Sequence, residues 1–213
     1  MSGGALGRHV EHDERSRAYA VAATAAPLKT VLHQRHVPIF DQGELGSCTG
    51  NAAAGCMATG PWTHKTSETD AVALYGRATH LDNVPGAYPP DDTGSSGLAV
   101  MKAVKERGWI GSYRHCFSLH AALTALQTTP VITGFNWYTG FDSPDAHGVV
   151  RVTGDVRGGH ETCVVGCDVD AKTIRVANSW GPSWADHGFY VVSWTDWDRL
   201  LHEHGDVTVP VAT

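Results

Sequence analysis

With 213 residues, 42% apolar and 18% charged, the chain is long enough to bury a sizeable core as one large domain or two small lobes. A net charge of −6 gives no electrostatic reason to expect nucleic acid or an anionic membrane surface as partner. No apolar stretch reaches the length of a membrane span, and five cysteines, an odd count, argue against a fully paired extracellular framework.

In chain order, residues 1–27 are polar, then Ala-rich, and end at Pro27. They read as an N-terminal extension. Acidic residues and histidines, not a compact basic region, precede the alanines, so no secretory signal is recognised. Residues 37–40 are short and extended, with Pro38 ruling out a central helix. Residues 47–58 read as a central helix whose Ala52, Ala53, Ala54 and Gly55 suit a backbone packed closely on all sides. Helices follow over 71–81, from Ala71, Leu74, Tyr75 and Ala78, and over 97–107, from Leu98, Met101 and Val104, with Gly108 as its cap. Residues 119–126 form a short helix. Strands are expected over 130–137, 162–168, 173–177 and 188–194, and a helix over 195–204. Helix-rich then strand-rich order predicts an α+β fold, with an extension over 1–27, a mainly helical lobe over 28–115 and a mainly β lobe over 116–213, a cleft between the lobes. Cys163 and Cys167 are expected on one face of a strand about 13 Å apart, too far to bond.

Chemistry concentrates in three motifs. In Asp41-Gln42-Gly43-Glu44-Leu45-Gly46-Ser47-Cys48, a glycine-rich turn delivers a cysteine to a helix N-terminus, where the positive end of the macrodipole favours thiolate. Gly158-Gly159-His160-Glu161-Thr162 supplies a histidine before an apolar strand, and Ala177-Asn178-Ser179-Trp180-Gly181 an asparagine beside a tryptophan. Each has a bland alternative: a buried helix cysteine, a structural histidine, a turn asparagine, a core aromatic, a surface glutamine. Their joint occurrence favours the functional reading.

The order Gln42, Cys48, His160, Asn178, with the Asn-Ser-Trp-Gly run and then Trp184 and Gly188, resembles the papain-like cysteine peptidases over residues 30 to 193. The resemblance implies a two-lobed fold, a helical lobe built on the nucleophile helix and a barrel-like β lobe. It implies a thiol endopeptidase in which Cys48 attacks, His160 forms a thiolate–imidazolium pair and protonates the leaving amine, and Asn178 orients the imidazole under Trp180. Gln42 and the Cys48 N–H would hold the oxyanion. Substrate would bind by backbone pairing at Gly97 and beside Gly159, with Trp180 shaping the groove.

Leu45 and Ser95 stand where the family often has a disulfide, which suits a bridge-free bacterial or phage type and a cytoplasmic location, phage association or another export route remaining open. Thr49 replaces a common Trp or Tyr, and Cys48 and His160 are 112 residues apart, shorter than usual. The partner implied is a polypeptide, with no cofactor, no metal, no nucleic acid, no membrane and a monomeric state. His33 with His36, and His202 with His204 and Asp206, lack zinc-site spacing. The alternatives are an isopeptide or peptidoglycan-peptide hydrolase and a non-catalytic binding protein of this fold. Residues 1–27 are expected to lie across one end of the cleft, on the strength of an apolar strip from Tyr19 and Val21 to Ala26, or else to form a free tail.

Overall fold

The stretch with the smallest side chains becomes the most buried element. In the computed structural model, which describes residues 4–213, β1 (Val31–Leu32) is followed by α1 (Cys48–Met57), all of whose residues are buried. A Cβ on Gly50 would lie 2.1 Å from the Ala71 carbonyl oxygen. Glycine there lets α2 (Glu68–Thr79) pack backbone to backbone. That helix starts three residues earlier than its apolar pattern, because a capping box of Ser67 and Asp70 supports a polar first turn. α3 (Gly97–Glu106), capped by Ser96, completes the group, and Met57, Leu74, Met101 and Val104 share one core with Ile39 and Phe40.

The second half is one antiparallel sheet with two helices. β2 (Ser112–His115), α4 (Leu119–Ala125), β3 (Val131–Tyr138), β4 (Val156–Asp168), β5 (Thr173–Ala177), β6 (Phe189–Ser193), α5 (Trp194–His202) and β7 (Asp206–Val211) follow in order. The strands run β2-β7-β3-β4-β5-β6, with β1 also paired to β4. A second core of Phe135, Trp137, Leu123, Tyr190, Trp197 and Leu200 lies on the sheet face away from α1.

Three features depart from the sequence reading. β2 and β7 were not foreseen: β2 is four residues long, and Pro210 interrupts the apolar run of β7 beyond its pairing with β3. β4 begins six residues early, since Gly158 and Gly159 break its apolar pattern while still pairing with Trp137 and Asn136. Its register shifts between Val164 and Gly166. That irregularity sends Cys163 into the α1 core and Cys167 into the other, so the two do not share a face. All five cysteines are buried and free.

From residue 4 onward the extension is bound to the body rather than free; its first three residues lie outside the described residues. Val21 N–H donates to His115 O (2.8 Å), and Thr24 N–H to Thr124 Oγ1 (3.2 Å). No helix among the described residues is long and apolar enough to cross a membrane.

Candidate active site

The loop before α1 holds its shape through Gln42 and Asp92. Gln42 N–H donates to Ser179 O (2.9 Å), its Oε1 accepts from Ser179 Oγ (2.6 Å), and its Nε2 donates to Leu45 O (2.8 Å). The amide is thus locked between the loop and the segment after β5. At Gly43 the chain turns through φ 58°, a left-handed conformation that glycine adopts freely, and its N–H donates to Asp41 Oδ1 (3.0 Å). Gly46 N–H donates to Asp92, which also accepts from Tyr75 Oη. Cys48 emerges as the first residue of α1 with no exposed surface.

His160 comes from β4 and Asn178 from the end of β5. His160 Nε2 lies 2.7 Å from Asn178 Oδ1, which also accepts from Ser179 N–H at 2.8 Å. An amide oxygen is an acceptor only, so Nε2 carries the proton and Nδ1 is the basic nitrogen. Nδ1 is buried and has no hydrogen-bond partner. Trp137 and Trp180 wall the imidazole, with ring centroids 4.8 and 5.0 Å away, and Trp184 backs Trp180 at 5.2 Å.

Residues 4–9 lie along the groove over these groups. Gly7 N–H and Arg8 N–H donate to Gly159 O at 3.2 and 3.0 Å. Ser95 N–H donates to Gly7 O (2.8 Å), and His9 N–H to Ser95 O (2.7 Å). Trp180 Nε1 donates to Ala5 O (3.1 Å). Side chains would block this path: a Cβ on Gly7 would meet Gly46 O at 2.1 Å, and one on Gly4 the Trp180 ring at 2.5 Å. What faces the Cys48 sulfur is the Gly7 N–H, while the Gly7 carbonyl is engaged by Ser95.

Cys48 and His160 are fully buried, and this sets their protonation. Burial pushes the Cys48 thiol up to about 12, with backbone hydrogen bonds from Glu161, Thr49 and Gly7 opposing. Burial lowers His160 to about 4, against the hydrogen bond to Asn178. The covered state therefore favours neutral thiol and neutral imidazole, not the ion pair expected from the sequence. The apolar strip expected in the groove is not what fills it: Tyr19 is 62% exposed, and the polar stretch around Arg8 lies there instead.

Beside Cys48 the structure assembles charges that the sequence reading did not connect. The Arg8 side chain is fully buried; its Nη2 pairs with Asp206 at the start of β7 and donates to His204 O at 2.7 Å. Glu161, next to His160, is also fully buried, and its carboxyl is held well above the ordinary range by burial and by Asp206, against Arg8. The only signal was an acidic residue at the head of an apolar strand run.

Gly159 lies where its carbonyl meets the segment, whereas backbone pairing on the facing wall comes from Ser95, two residues before Gly97. Gly97 opens α3 and faces the two carboxylates. Among the described residues no three His, Cys, Asp or Glu gather as a metal site would require.

No family model matches the chain. Over 76 residues, 33% of its length, it is 33% identical to an uncharacterized peptidase C1-like protein of Acanthamoeba polyphaga mimivirus, a stretch spanning 24% of that protein. Among solved structures, xylellain, a cysteine protease from Xylella fastidiosa, superposes with a TM-score of 0.78 at 16% identity, over 99% of this chain and 97% of that one. Digestive procathepsin L 3 of Tenebrio molitor larval midgut gives 0.68 at 13% identity, over 98% and 76%. The Carica candamarcensis cysteine protease CMS1MS2, in complex with E-64, gives 0.60 at 15%, over 83% and 93%. The chain has the fold of the papain-like cysteine proteases.

Proposed function

We propose that the protein is a cysteine endopeptidase with Cys48 as nucleophile, His160 as base and then acid, and Asn178 as orienting partner. One observation carries this: His160 is bonded through Nε2 to Asn178 and keeps Nδ1 basic and unpartnered, in the groove that holds Cys48 at a helix N-terminus. When residues 4–9 leave, water enters and the burial that opposes charge is relieved. The backbone N–H groups of Glu161 and Thr49 and the helix N-terminus still favour thiolate, and the proton moves from Sγ to Nδ1. Sγ then adds to the scissile carbonyl, whose oxygen takes hydrogen bonds from Cys48 N–H and Gln42 Nε2. His160 gives its proton to the departing amine, leaving a thioester that water hydrolyses.

The groove passes Cys48 on both sides, towards Trp180 and towards Ser95, which supports cleavage within a chain rather than at its end. The free cysteines, with Leu45 and Ser95 in place of a bridge, support kinship with bridge-free bacterial or phage enzymes. Hydrolysis of casein by the intact chain and by Cys48→Ala tests the reading: turnover is expected to vanish in the variant, with an unchanged circular dichroism spectrum. Equal turnover by both would refute the nucleophile.

A further inference from the structure

The geometry points to the pocket formed by Glu161 and Asp206 as a subsite for the guanidinium of an arginine in a peptide substrate, filled here by the chain's own Arg8. The inference rests on the peptidase reading above and adds the substrate class. Arg8 lies on the segment that covers Cys48, so a substrate entering the groove must displace it. What it leaves behind is specific. Asp206 loses its partner, and the buried oxygens of Glu161 and Oδ1 of Asp206 have no hydrogen-bond donor among the described residues even with Arg8 in place. The His204 carbonyl loses its donor as well.

Two glycines make the room. A Cβ on Gly134 would lie 2.6 Å from Arg8 Nε and 2.4 Å from Glu161 Oε2. One on Gly97 would lie 2.7 Å from Asp206 Oδ1 and 2.8 Å from Glu161 Oε1. Any side chain at either position would fill the space that the carboxylates and the guanidinium share. A cavity of about 300 Å³ adjoins Asp206, lined also by Glu11 and His204, so water can reach that carboxylate while the pocket is vacant. A neutral side chain entering the pocket would leave Asp206 without a charged partner, whereas a guanidinium restores both that charge and the donor to His204 O. One nitrogen of Arg8, Nη2, serves both Asp206 and the His204 carbonyl.

Binding, not turnover, supplies the test. The full chain carrying Arg8→Ala and Cys48→Ala is titrated by fluorescence anisotropy with labelled hexapeptides in which arginine or its neutral isostere citrulline occupies each position in turn. At one position arginine is expected to bind at least about 30-fold more tightly than citrulline, and Asp206→Asn is expected to remove most of that ratio. Equal affinities at every position, or a preference untouched by Asp206→Asn, overturn the subsite. If Arg8→Ala prevents folding, the unmodified chain serves. Millimolar agmatine, competing with Arg8, is then expected to speed iodoacetamide labelling of Cys48 severalfold while its neutral urea analogue does not; no difference overturns the proposal. Because neither readout involves hydrolysis, loss of arginine preference is separable from failure of the peptidase reading, which would appear as absent turnover by the Arg8→Ala chain with Cys48 intact.

Discussion

Substituting Gly7 by leucine should unmask Cys48. A Cβ at that position would lie 2.1 Å from the Gly46 carbonyl oxygen, more than an ångström inside ordinary contact, and the atom it meets is backbone. The segment must lift, and the lift breaks bonds that Gly7 and its neighbours make to Gly159 and Ser95. Losing two of them at about 1 kcal/mol each weakens the covered state by about 2 kcal/mol, roughly 30-fold in the open-to-covered ratio. In the covered state Cys48 has no exposed surface and its thiol is held at about 12, against 9.0 unperturbed. At pH 7.5 that leaves about a thousandth of the ordinary thiolate population. Labelling therefore proceeds through opened molecules, and its rate follows the open fraction. Iodoacetamide labelling read by peptide mapping is expected to rise about 30-fold at Cys48 alone, with little change at Cys56 or Cys163, which lie in the α1 core. A Cys48 rate within threefold of the unmodified chain, in a variant of unchanged Tm, would refute the account of the segment as a cover.

Acid should open the same cover. In the Cys48→Ala chain no thiol supplies the proton; His160, held at about 4 while covered against 6.5 unperturbed, then takes one up from solvent on opening, so falling pH from about 6.5 to 4 favours opening. Hydrogen exchange at the Gly7 and Arg8 amides, corrected for its intrinsic pH dependence, is expected to lose protection over that range; constant protection from pH 7 to 5 would contradict it. Gln42→Ala is expected to lower kcat by about 10²- to 10³-fold with a smaller change in KM, since the donor acts on the developing oxyanion. A change confined to KM in steady-state assays would remove Gln42 from that role. Asn178→Ala should be milder than His160→Ala, because orienting a base costs less to lose than the base itself; equal loss of kcat/KM would speak against the assignment.

Local chemistry made much of the fold readable. The helix beginning at Cys48 was legible because its alanines and glycines leave close backbone packing as the one way to bury it. α3 announced itself by Leu98, Met101 and Val104 at helical spacing. β5 and β6 were visible as bounded β-branched runs. Where pairing overrides pattern, reading failed. The early start of β4 depends on β3 lying alongside Gly158 and Gly159, and the opposite facing of Cys163 and Cys167 depends on a register shift that no local composition encodes.

The site divides along the same line. Gln42, Cys48, His160 and Asn178 stand in recognisable motifs, because each needs a particular backbone setting that leaves its own sequence trace. The acidic pair does not: Glu161 and Asp206 lie 45 residues apart, on strands brought together only because β7 pairs with β3 and β3 with β4, which places Gly134 opposite both carboxylates. Arg8 is further still in sequence, and nothing near it forecasts a buried guanidinium. The trace it does leave is indirect, in the spacing of Gly4 and Gly7 ahead of it. Both positions exclude a side chain because the backbone runs hard against Trp180 and Gly46, and that close approach carries Arg8 down to the two carboxylates.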